Sequence, residues 1–205
     1  LMSVPLRRQR QLQQCDVPVG WVAQDLAVAT DALPAKAGAL LSAAHQFYKA
    51  GDYANALAYC NSAHLMQPAM PDVLLLLSAI HFQLKSYDQC ILHSRACIAL
   101  KPDMAEAHSN LANALYKTGN LDLAAAHYRS AIHLKPSFTD SYNNLATLLV
   151  QKGQVAQAIQ CYQLALNINP SLYVVSSNLG DLWRSLGTPQ GLSLIHISEP
   201  TRQPN

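Results

Sequence analysis

Between residues 37 and 187 small, apolar and polar positions return at one constant interval. Prolines stand at Pro68, Pro102, Pro136 and Pro170; half a period out of phase stand Gly51, Gly119, Gly153 and Gly187, with Lys85 in the one missing place. Two chain breakers per period predict a helical hairpin, each helix about 14 residues and roughly 21 Å long. Each proline ends a second helix, because its ring cannot continue the hydrogen-bond ladder and biases the preceding residue away from helix. Each glycine closes a first helix, where a left-handed backbone costs it little. Small residues fill three columns: Ala44, Ser78, Ala112, Ala146 and Gly180 in first helices; Ala56, Cys90, Ala124 and Ala158 in second helices; and, two turns further on, Ala63, Cys97, Ala131 and Ala165. They predict close helix approach. Phe47, Leu77, Leu111, Leu115, Leu145, Leu149, Leu179 and Trp183 fill the gaps between hairpins, met by Tyr128 and Tyr162 from the second helices.

This period, with its order of Leu, small residue, Gly, Ala, aromatic, Ala and Pro, resembles the tetratricopeptide repeat. The expected fold is all-α: antiparallel helix pairs stacked into a right-handed superhelix, an α-solenoid whose first helices line the inner face, because a lone hairpin cannot bury its apolar side. Residues 35–187 form the array, with complete repeats at 37–70, 71–104, 105–138 and 139–172 and a half repeat at 173–187. Residues 1–34 show no period, carry Pro5, Pro18 and Pro34, and are expected to form a flexible leader, from which Trp21 and Leu26 can dock on the first hairpin. From Thr188 onward the register fails. Leu192 to Arg202, LSLIHISEPTR, resembles a translated sequencing-library adaptor, so 188–205 is expected to be an assembly artefact, with an interdomain linker as the alternative. On this reading Leu179, Leu182, Trp183 and Leu186 lack their covering helix and form a sticky face. The opening Leu1 points to a piece of a longer reading frame.

Composition removes several function classes. Fourteen Lys and Arg against twelve Asp and Glu leave a net charge of +2, too little to draw the chain to nucleic acid or an acidic membrane. The longest apolar run, Val73 to Ile80 with Ser78 inside it, is far short of the roughly 18 residues of a membrane span. Cys15, Cys60, Cys90, Cys97 and Cys161 form neither a CxxC pair nor a zinc spacing, so a reduced compartment is expected. Arg7, Arg8 and Arg10 have no apolar stretch behind them, which excludes a secretory signal; an organelle transit peptide is the alternative. The eight histidines show no metal-ligand spacing, and no nucleophile elbow, phosphate loop or carboxylate pair is present, so no metal or catalytic site is expected.

The candidate chemistry is a column of amides. Asn110, Asn144 and Asn178 stand one period apart, each before the leucine of a first helix. Asn is a mediocre helix former, so its recurrence asks for a reason. A primary amide both donates and accepts, and so can hold the N–H and C=O of an extended guest with little regard for its sequence. Neighbouring hairpins step by roughly 10 Å, about three residues of extended chain. The alternative is that these amides only bridge adjacent first helices or face water. Asn113, Asn143 and Asp181 lie near enough to add contacts. The second repeat has Leu75 and Leu76 where later ones are polar, giving either a greasy inner surface for a partner or simple packing.

Four stretches, AHQFYKAGDYANAL, LLLLSAIHFQLKSYDQC, AEAHSNLANALYKTGNLDLAAAHYRSAIHLKP and SNLGDLWRSLG, resemble the N-terminal repeats of nucleocytoplasmic O-linked N-acetylglucosamine transferases of the plant or algal type. The resemblance implies a cytoplasmic and nuclear protein whose repeats recruit extended segments of protein substrates, or adaptor proteins, for a separate catalytic region absent from this stretch. That region moves N-acetylglucosamine from UDP-N-acetylglucosamine to Ser or Thr. It also implies that Asn110, Asn144 and Asn178 belong to a substrate-holding ladder, from which Ser42 and Leu76 depart. Neither nucleic acid nor membrane is an expected partner, and no cofactor is expected here. Spindly-type protein O-fucosyltransferases share this plan. A free-standing co-chaperone adaptor is a further alternative, but its carboxylate clamp would fall on Ser109, Asn113, Asn144, Val174 and Asn178, which keep the amides and lack the three cations.

Overall fold

The computed structural model describes residues 35–187, so the expectations for 1–34 and for 188–205 lie outside the described residues. Nine helices and no strand occur among the described residues. First helices are α1 (35–49), α3 (Pro71–Gln83), α5 (Ala105–Lys117), α7 (Thr139–Gln151) and α9 (Tyr173–Ser185). Second helices are α2 (Tyr53–Met66), α4 (Tyr87–Leu100), α6 (Leu121–Leu134) and α8 (Val155–Ile168). From α2 onward every start and end recurs at the interval of the prolines, with 13 residues in first helices and 14 in second helices. The fold is an all-α solenoid of helical hairpins.

The turns explain this regularity. The first helices α1, α3, α5 and α7 end in a Schellman motif, their last carbonyls capped by two backbone N–H groups from the turn. Gly119 N–H donates to Tyr116 O at 3.1 Å and Asn120 N–H to Leu115 O at 2.9 Å; Gly153 and Gln154 repeat the pair at 2.9 and 2.8 Å. The residue between helix and turn must adopt positive φ, as Gly51, Gly119, Gly153 and Gly187 do at 67° to 84°. Lys85 makes the same pair of bonds at φ 60°, so the motif, not the glycine, is invariant. Second helices end on Gln67, Lys101, Lys135 and Asn169, which turn to φ near −139° directly before the prolines.

Each second helix packs against its own first helix and the next one, and consecutive first helices touch, as α3 does α5 and α5 does α7. The small columns are fully enclosed: Ala44, Ser78, Ala112 and Ala146, then Ala56, Cys90, Ala124 and Ala158, then Ala63, Cys97, Ala131 and Ala165 all show no exposed surface. The buried thiols reach first-helix backbone, Cys60 Sγ lying 3.5 Å from Val73 O of the next hairpin and Cys97 Sγ 3.4 Å from Pro71 O of its own. Burial raises the Cys60 thiol to about 12 and those of Cys90 and Cys97 to about 11, so they stay protonated and serve packing.

The carboxy-terminal core is one cluster running from Leu111 to Leu182 through Tyr128, Leu145, Leu149, Tyr162 and Leu179. Leu179 and Leu182 are buried in it and Trp183 packs at its edge, leaving Leu186 exposed on the face expected to be sticky. The amino-terminal core is separate, and Leu76 belongs to it beside Leu41, Ala44 and Leu77. Leu76 is therefore packing, not an open greasy lining. Histidines from three helices meet here: the His81 and His93 rings stack at 5.3 Å, and His64 meets His93 edge-on at 6.1 Å. Nδ1 of His64 and of His81 are buried without a hydrogen-bond partner.

Candidate functional site

First-helix periodicity decides where the asparagines fall. Asn110, Asn144 and Asn178 each precede a buried leucine (Leu111, Leu145 and Leu179) and are themselves half-buried, at the seam between one first helix and the one before it. The amides bridge these seams. Asn110 Nδ2 donates to Ser78 Oγ at 2.8 Å, Asn144 Nδ2 to Asn113 Oδ1 at 3.0 Å and Asn178 Nδ2 to Asn143 Oδ1 at 3.0 Å. Asn143 Nδ2 in turn reaches Asn144 Oδ1 at 3.5 Å, so the polar contacts run from α9 through α7 to α5.

Second helices hold this line in place. Tyr128 is buried and its hydroxyl donates to Asn113 Oδ1 at 2.6 Å. Burial raises its phenol far above the ordinary value, so it remains a donor and marks Asn113 Oδ1 as the acceptor shared with Asn144. One repeat later Tyr162 OH and Thr147 Oγ1 lie 3.1 Å apart in the equivalent place. Sequence reasoning found the amides but not Ser78 or Tyr128 OH as their supports, nor the equivalent contact of Tyr162 OH with Thr147. The signal was available: a tyrosine follows a polar first-helix residue by 15 positions in both repeats.

Bridging consumes one N–H of each ladder amide. An asparagine carries two N–H donors and a two-lone-pair oxygen, so each keeps a donor and an acceptor for a guest. Asp181, also expected near this site, is exposed and paired to Arg184 Nη1 at 2.7 Å.

Asn144 and Asn178 each border one of two clefts related by the repeat. The first, of about 370 Å³, is lined by Phe82, Asn113, Tyr116, Lys117, Tyr128, Asn144 and Thr147. The second, of about 340 Å³, is lined by Thr147, Val150, Tyr162, Asn178, Asp181, Leu182 and Ser185. Both are open depressions with polar and apolar walls, suited to side chains rather than to an enclosed small molecule. The positions of a co-chaperone clamp do not converge on a carboxylate. Ser109 is buried, with Ser141 Oγ 3.3 Å away, and Val174 offers no charge.

Among the described residues no group of His, Cys, Asp and Glu is placed to hold a metal ion. None of the described helices is long and apolar enough to cross a membrane.

Comparison with known proteins gives the repeat its name. The tetratricopeptide-repeat family profile matches residues 105–138 and 139–172, so tetratricopeptide repeats are present in the chain. A curated Arabidopsis thaliana protein, the probable UDP-N-acetylglucosamine–peptide N-acetylglucosaminyltransferase SEC, is 47% identical over 53 residues, which are 26% of this chain and 5% of that protein. Solved structures share the fold at low identity. MamA from Desulfovibrio magneticus RS-1 is 17% identical with a TM-score of 0.69, over 80% of this chain and 93% of its own. A thermophilic tetratricopeptide protein of Thermus thermophilus is 20% identical with a TM-score of 0.68, over 79% and 89%. The first such domain of Spaghetti (RPAP3), bound to an HSP90 peptide, is 20% identical with a TM-score of 0.56, over 58% and 94%.

Proposed function

We propose that the seam of first helices binds an extended polypeptide by its main chain, and that it does so as the substrate-recruiting part of a protein O-N-acetylglucosamine transferase. The observation that carries the binding reading is the recurrence of a braced, half-buried amide at Asn110, Asn144 and Asn178, each with donor and acceptor capacity to spare. Main-chain recognition follows from that chemistry. A peptide extended at about 3.3 Å per residue presents an N–H and C=O pair at each amide about every third residue. Three such sites, each worth about 0.5–1.5 kcal/mol net, hold a guest weakly and with tolerance for its sequence, which suits a recruiter of many substrates.

The transferase reading draws on the 47% identity to the Arabidopsis enzyme and on the amide column, which the resemblance to that family assigns to substrate holding. Peptide capture by this fold is supported by the Spaghetti domain with its bound HSP90 peptide. Sugar donor and transfer chemistry would reside in a separate catalytic region. The purified chain is accordingly expected to transfer no N-acetylglucosamine from UDP-N-acetylglucosamine to peptide, and detectable turnover would overturn that division of labour. The binding reading is tested by fluorescence anisotropy with labelled, Ser/Thr-rich extended peptides. Replacing Asn110, Asn144 and Asn178 together by Ala should weaken binding at least about tenfold, and unchanged affinity would remove the amides from the site.

A further inference from the structure

The two clefts along the seam are equivalent in backbone but not in charge. In the second, Asp181 and Arg184 neutralise one another at 2.7 Å, and the remaining polar lining is amide and hydroxyl. In the first, the cation is Lys117, whose ammonium lies 5.7 Å from the centre of the Tyr116 ring. The ion pairs among the described residues join Lys135 to Glu106, Lys152 to Asp122 and Arg184 to Asp181, and none engages Lys117. One and two repeats later the place of Lys117 is taken by Gln151 and Ser185, and that of Tyr116 by Val150 and Arg184. The same Tyr–Lys pair stands two repeats earlier, at Tyr48 and Lys49, but the ammonium placed over its tyrosine ring is that of Lys117, which sets this cleft apart from the charge-balanced one that follows.

We propose that the cleft of Phe82, Tyr116, Lys117 and Tyr128 reads one carboxylate side chain of the guest, Asp or Glu, while Asn144 at its edge holds the neighbouring main chain. The inference rests on the peptide-binding reading above and adds specificity to it: a sequence-tolerant grip with one acidic position. Aromatic walls lower the local polarity and strengthen attraction between ammonium and carboxylate relative to open water. Tyr128 OH is committed to Asn113, so Lys117 is the charged donor that a guest meets there. The next repeat step, about three residues along the guest, reaches the charge-balanced second cleft, where a neutral residue fits.

The test is a scan of a neutral, extended host peptide with both termini blocked, in which Glu replaces Gln at one position at a time, titrated into the full chain by fluorescence anisotropy. Glu at one register should tighten binding about three- to fivefold over Gln, and about 0.5 M salt should remove the gain. Lys117→Gln should abolish that preference without weakening the neutral host, and Lys117→Glu should transfer it to a Lys-bearing peptide; unchanged thermal unfolding of both variants checks their fold. A flat scan, or a preference that survives Lys117→Gln, overturns the inference while host binding leaves the amide grip standing. A host that does not bind at all removes both. Gain with phosphoserine but not with Glu would replace the carboxylate by a phosphate.

Discussion

Hairpin 71–104 and hairpin 139–172 have helices of equal length and turns with the same hydrogen bonds, yet they treat the residue before the recurring leucine in opposite ways. In the first of them Leu76 is buried with Leu41 and Leu77; in the second Asn144 lies half-buried at the seam and bonds to Asn113. The reason is next door. Asn144 has Asn113 to bond to and Asn110 has Ser78, whereas the corresponding places before Leu76 hold His45, whose Nδ1 lies 3.0 Å from Leu41 O, and Ala44. The fold therefore requires the small columns and the turns, and leaves this column free to serve either core or ligand.

Exchanging the residue types at these two positions should have the largest effect. Leu76→Asn removes a buried leucine and leaves an amide facing Ala44, which should cost about 3–5 kcal/mol in urea unfolding. Asn144→Leu should change stability by no more than about 1 kcal/mol, because Tyr128 still satisfies Asn113. Equal costs would mean that the column has one role throughout.

The turns give a smaller contrast. Gly153 sits at φ 72°, and an added Cβ meets nothing within 4 Å there. The cost of Gly153→Ala therefore comes from the backbone alone and should be about 1–2 kcal/mol. Lys85, at φ 60°, carries the same strain. Lys85→Gly relieves it and should stabilise by about 0.5–1 kcal/mol, less than the converse loss because glycine also loosens the unfolded chain. Thermal unfolding measures both, and a destabilised Lys85→Gly would show that the lysine side chain matters there.

Acid should produce a gentler effect, centred on the amino-terminal hairpins. Burial, then His81 and His64, lower His93 from 6.5 to about 4, and burial lowers His81 as well. Unfolded histidines take up protons near pH 6.5 and the native His93 only near pH 4, so the unfolded state binds more protons in between. Stability is then full above about pH 6.5 and declines as pH falls towards about 4. His93→Gln should flatten that decline in urea midpoints taken at about pH 7 and about pH 5, with a residue left by His127, which is also lowered. An unaltered slope would assign the acid sensitivity elsewhere.

Much of the architecture is legible in the chain itself, because backbone rules act locally. Prolines and glycines punctuate helices through their own dihedral limits, and even the odd place of Lys85 is set by the interval alone. Contacts between hairpins are not legible in this way. Asn110 reaches the eighth residue of the preceding repeat, Asn144 the ninth and Asn178 the fifth, and that offset depends on how hairpins are rotated against one another. For the same reason the sequence left Leu76 between groove and core, and did not reveal that His64, His81 and His93 meet. The amide column was legible as a pattern; its bracing by Tyr128 was not.

If the amides grip main chain, replacing single peptide bonds of the guest by esters must weaken the complex. An ester removes one N–H and weakens one acceptor while leaving every side chain in place. Esters placed about every third residue should weaken binding to the native chain about three- to tenfold per site, and should have no effect on the variant lacking all three ladder asparagines. Equal affinity of ester and amide peptides for the native chain would show that the amides do not hold the guest by its main chain.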